Sequence, residues 1–89
     1  MNEHLFRTSP HYANLRAMGV GITDLRPLSL YNHRWVVTVP NPPGMDSFKL
    51  KRLVQHWLEV EFEASEFDWF VPRKGEADKR FCHFKSFAL

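Results

Sequence analysis

A chain of 89 residues, 44% hydrophobic and 25% charged, specifies one globular domain rather than a disordered segment. Its net charge of +2 hides a segregation: Glu59, Glu61, Glu63, Glu66 and Asp68 fill a window with no Lys or Arg, and the remainder is basic. A lone cysteine excludes an internal disulfide, no apolar run approaches the ~20 residues that span a bilayer, and the opening MNEHLFRTSP lacks a signal-peptide pattern, so the expected setting is cytoplasmic, away from membranes.

Residues 1–8 read as a loose lead-in to a single domain over 9–89. Ser9-Pro10 is a helix start, a serine cap followed by a proline whose missing N–H costs nothing at the first helical position. The helix is predicted to run to about Met18, with Tyr12, Leu15 and Met18 inward, and to stop at Gly19 and Gly21. Leu28 and Leu30 alternate with Ser29 and Tyr31 as in a half-buried strand. Pro27 cannot donate to a ladder, so that strand should begin there or lie at an edge.

Asn32-His33 fits a tight turn with Asn32 at positive φ. Arg34 to Val39 is the strongest strand signal, with Trp35, Val37 and Val39 on one face. Pro40, Pro42 and Pro43 end it. From Asp46 or Ser47, the residues Leu50, Leu53, Val54, Trp57 and Leu58 recur at helical spacing, predicting an amphipathic helix to about Glu61–Glu63. Its charges run against the backbone dipole: Lys49, Lys51 and Arg52 open it, and Glu59, Glu61 and Glu63 close it. Phe67–Arg73 and Arg80–Phe87 are aromatic-rich strand candidates joined by a polar, glycine-bearing loop over 74–79.

The order predicts an α+β fold: a four-stranded, mainly antiparallel sheet made of two hairpins, packed on one amphipathic helix, with a short N-terminal helix. Either hairpin could supply the central pair of strands. The N-terminal helix is the candidate cover for part of the sheet's second face.

Enzymatic signals are absent. Cys82 and His83 are adjacent on a strand and so point to opposite faces, which prevents their acting as a nucleophile–base pair and leaves Cys82 as a small buried hydrophobe. The five histidines have no metal-ligand spacing, and the glutamate run reads as solvated surface. No catalytic residue, metal or cofactor is expected.

The reading is therefore a non-enzymatic protein-binding module. Its contact surface would combine Trp69, Phe70, Phe81 and Phe84 with the neighbouring Glu59 and Glu63, since exposed rings make good interface anchors. A concrete form is a phage- or mobile-element-encoded inhibitor (anti-CRISPR-like) or adaptor that docks on a host nucleic-acid-handling complex. A homodimer through an exposed sheet face fits the same surplus of rings. The alternative is an RNA- or single-stranded-DNA-binding domain using Arg34, Trp35, Lys49, Lys51, Arg52 and Arg80, because stacking rings beside basic residues are what a single strand requires. A structural subunit of a larger assembly is the third class.

Overall fold

The computed structural model describes residues 4–29, 31–72 and 78–89, with side chains from Phe6 onward. Three helices, α1 (His4–Arg7), α2 (Pro10–Ala17) and α3 (Ser47–Phe62), accompany four strands, β1 (Asp24–Ser29), β2 (Arg34–Pro40), β3 (Ser65–Phe70) and β4 (Lys79–Lys85). The strands form one open sheet in the order β1-β2-β4-β3, with every neighbouring pair antiparallel. This is the expected α+β fold. The central pair, β2 and β4, takes one strand from each hairpin, so neither hairpin is central by itself.

The strand period decides what is buried. In β2, Trp35, Val37 and Val39 point to one side, and β4 sets Phe84, Cys82 and Arg80 opposite them. Helix α3 lays Leu50, Val54, Trp57 and Leu58 on that row, and all four are buried. Leu25 of β1 and Val20 and Ile22 of the preceding loop complete the layer.

Helix α2 begins as expected: Ser9 is its N-cap, and the serine Oγ accepts from the backbone N–H of His11 and Tyr12. It packs beside α3 on the same side of the sheet, contrary to the expectation that it would shield the other face. Tyr12 faces inward because its ring is fixed at both ends: the body meets Trp57 and Phe6, and the hydroxyl accepts from Ile22 N–H at 2.9 Å. Met18, expected inward, is 55% exposed, because α2 has already ended at Ala17.

The lead-in is more ordered than the sequence suggests. Residues 4–7 form α1, and Phe6 enters the core with its ring edge-on to Tyr12 and Trp57. A single ring burying about 150–250 Å² is enough to tether so short a helix. Strand β1 starts before Pro27 and lies at an edge, where the missing donor is harmless. Its inward residue is Leu25, whereas Leu28 is exposed beside a register shift between Pro27 and Ser29. Leu30 lies outside the described residues. Positive φ falls on His33 rather than Asn32.

Asp46 occupies the N-cap of α3 by conformation but makes no side-chain capping bond. The helix ends as expected, and Glu63 takes a left-handed conformation that lets Ala64 N–H reach the Leu58 carbonyl. Strand β3 starts at Ser65 and stops at Phe70, earlier than the 67–73 span. Most of the polar loop, residues 73–77, lies outside the described residues.

Buried Ser86 joins three elements. Its Oγ donates to the carbonyl of Phe62 at 2.6 Å and accepts from Ala88 N–H, while its own N–H donates to the His33 carbonyl. It thus satisfies one of the carbonyls that every helix leaves unpaired at its C-terminus. Ser86→Ala is expected to leave that carbonyl dry and unpaired and to cost about 1–3 kcal/mol. A lower urea midpoint at unchanged slope would register the loss.

Candidate protein-binding face

The helices occupy one side of the sheet; the other side carries no described helix. Its residues are the alternates of the buried row: Arg34, Val36 and Thr38 on β2, facing Lys85, His83 and Phe81 on β4. Strand β3 contributes Asp68 beside His83 and Phe70 beside Phe81, and β1 contributes Asp24 and Arg26 beside Thr38 and Val36. Val36 and Thr38 are buried beneath longer neighbours, yet Val36 is not part of the core packed by the helices. An antiparallel sheet can leave one face to solvent in this way.

One end of this face is aromatic, where Phe70, the last residue of edge strand β3, lies beside Phe81. Phe70 is 46% exposed, and its ring lies 4.6 Å from the imidazole of His83. Phe81 is half-buried next to it. Three ion pairs occupy the rest of the face: Arg34 with Asp68 at 3.3 Å and Lys85 with Glu66 at 3.6 Å towards its other end, and Arg26 with Asp24 at 3.3 Å on β1. Arg34 also donates to the Glu66 carbonyl, which a left-handed Glu66 at the register shift in β3 presents to it. The face therefore balances its own charges.

Burial and the nearby Arg34 guanidinium lower the His83 pKa from its ordinary 6.5, and Asp68 only partly opposes them. On the other side of β4, burial first and then Asp68 push the Cys82 thiol up to about 12. Cys82 is fully buried and bonds weakly to its neighbour's carbonyl. A thiol so reluctant to ionise is a packing group. Among the described residues no cluster of three His, Cys, Asp or Glu could hold a metal ion, and no helix is long and apolar enough to cross a membrane.

The expected contact residues divide between the two sides. Phe70 and Phe81 stand on the open face. Phe84 is fully buried against α3, so it is core rather than anchor, and Trp69 packs half-buried on the helix side. Strand alternation causes this split, since Trp69 pairs with Cys82 and Phe70 with Phe81. Glu59 and Glu63 are exposed at the end of α3, and their carboxylates have no ion-pair partner among the described residues.

The residues of the nucleic-acid alternative do not assemble. Trp35 is in the core and offers no stacking face, and Arg34 is engaged with Asp68. Arg80 lies on the helix side, where its Nε donates to Ser47 at the start of α3. Lys49 and Arg52 are exposed on α3 and Lys51 is half-buried; none of the three pairs with a described acid.

Sequence reasoning set Val36 and His83 on the faces opposite Trp35 and Cys82 but did not mark them as one open face, because that depends on strand order and on which side the helices cover. It also passed over Phe48 and Val60, although both fall outside the helical phase of the buried stripe. They are 62% and 44% exposed. Family models, curated proteins and solved structures offer no match to this chain.

The electrostatics of the open face give a direct test. The His83 pKa followed by NMR should lie below 6.5 and rise in Arg34→Gln, which removes a repelling cation and leaves Asp68 unopposed. Because folding lowers this pKa, the unfolded chain binds more protons, so stability should fall as pH drops through 6.5 and be unaffected by His83 well above it.

Proposed function

We propose that this chain is a small protein-binding module without enzymatic chemistry, contacting its partner through the open face of the sheet. One observation carries the reading: two aromatic side chains, Phe70 and Phe81, sit side by side across β3 and β4 on a sheet face that no described helix covers, and the ion pairs on the rest of that face join its charges to one another. Such a face offers a desolvatable aromatic patch beside paired charges, the mix of apolar contact and polar surround found in protein interfaces. A strand-built nucleic-acid surface would instead need unpaired cations beside its rings.

The partner we infer is a protein surface with an apolar prominence that seats against Phe70 and Phe81. The role proposed for the module is that of an inhibitor or adaptor on a host nucleic-acid-handling complex, of the type encoded by phages and mobile elements. A small rigid face suits that role because it can occlude a site without performing chemistry.

Affinity capture from host lysate should recover a defined partner at stoichiometric yield with or without nuclease. Phe70→Asp should abolish recovery while leaving the circular dichroism spectrum intact. Recovery that vanishes on nuclease treatment, or that survives Phe70→Asp together with Phe81→Asp, would refute this assignment.

A further inference from the structure

Six exposed residues of α3 and its C-cap form a single stripe, with exposed Phe48 to one side of it. At about 3.6 residues per turn, Lys49, Arg52, His56, Glu59, Val60 and Glu63 fall along the outer line of the helix, opposite Leu50, Val54 and Leu58; all six are exposed. The stripe is basic at one end and acidic at the other, with His56 between them. None of its four charged side chains pairs with a described residue, although the sheet face pairs three such couples.

The stripe is also complementary to itself. Lys49 and Glu63 lie seven residues either side of His56, Arg52 and Val60 four, and Leu53 and Glu59 three. Two copies of α3 placed side by side and antiparallel, related by a two-fold axis at His56, put residues of equal offset at the same height. The axis also preserves the flanks of the helix. Arg52 and Glu59 share one flank, Leu53 and Val60 the other, and Lys49 and Glu63 lie near the middle. Lys49 then meets Glu63 of the second copy at the same height, while Arg52 meets Glu59 and Leu53 meets Val60 along their shared flanks, each pair one residue, about 1.5 Å, apart in height. The symmetry makes each contact twice, as an isologous interface requires.

The apolar flank has a place to seat. A groove of about 240 Å³ runs between α2 and α3, lined by Leu53, Trp57 and Val60 with exposed Met18 at its rim. A second concavity near the start of α3 is lined by Asp46, Phe48, Lys49, Arg52, Leu53 and His56, so it adjoins the first at Leu53 and His56.

We propose that the outer stripe of α3 is a homodimer interface whose occupant is a second copy of this chain, docked antiparallel about His56. This goes beyond the reading of the open face: the two open faces would point outward on opposite sides of the dimer, making the module bivalent. Two linked sites raise avidity without any new contact to the partner.

Charge exchange decides the matter. The full chain should sediment as a concentration-dependent dimer. Lys49→Glu with Arg52→Glu should weaken self-association about tenfold or more, since four attractions become repulsions, and Glu59→Lys with Glu63→Lys should do the same. An equimolar mixture of the two doubly substituted chains should restore a dimer containing one of each. Both variants now suit the helix dipole, so their melting temperatures at dilution should equal or exceed that of the original chain, which separates lost pairing from lost fold. Phe70→Asp should leave dimerisation unchanged even where it abolishes capture of a partner. A chain that remains monomeric at all concentrations, a dimer that tolerates both double substitutions, or a mixture that fails to pair would overturn the proposal.

Discussion

Pairing between β2 and β4 is the contact on which the rest of the molecule depends. Each strand belongs to a different hairpin, and α3 lies between them in sequence, so the pairing closes a long loop before it contributes anything. Burial repays that closure. The row Trp35, Val37, Val39, Cys82 and Phe84 exists only when the two strands are adjacent, and only that row is wide enough to take Leu50, Val54, Trp57 and Leu58. At about 25 cal/mol for each Å² of apolar surface removed from water, one well-covered face is the main stabilising term available to so small a chain.

That constraint explains both faces of the sheet. With both larger helices and Phe6 committed to one side, no described helix covers the alternate residues of β2 and β4. Val36 and Thr38 are sheltered by neighbouring side chains rather than by a second layer. Charges around them are held in ion pairs, one within β1 and two between strands, each worth little at a surface. What is left uncovered beside them is the aromatic pair Phe70 and Phe81.

Much of this was legible in the sequence, and the limits fall where local periodicity stops carrying information. Ser9-Pro10 announced α2, the 50-53-54-57-58 spacing announced α3, and alternation in RWVVTV named the buried face of β2. The two hairpins followed from turn chemistry. Strand order did not, because it is fixed by long-range burial and leaves no local mark. Phe81 and Phe84, three apart on one strand, had to face opposite ways, as did adjacent Trp69 and Phe70; what alternation left open is which of the two faces the helices would cover. Phe6 was hidden because a four-residue helix has no period to read; only its tertiary partners, Tyr12 and Trp57, hold it.

The treatment of charge differs between the two sides of the molecule, and the difference has a physical consequence. On the sheet, opposite charges are adjacent and their fields cancel within a few ångströms. On α3 the cations gather near the end where backbone N–H groups already leave a partial positive charge, and the anions near the end where carbonyls leave a negative one. Side chains and backbone therefore reinforce each other instead of cancelling, and the helix carries a larger dipole than its backbone alone supplies. In isolation this arrangement only costs stability. Two such dipoles lying side by side attract when they run antiparallel and repel when they run parallel, so the feature that weakens one copy supplies the orientation for two. Screening within about 8–10 Å at physiological salt confines the effect to close approach, where the apolar flank of Leu53 and Val60 can take over.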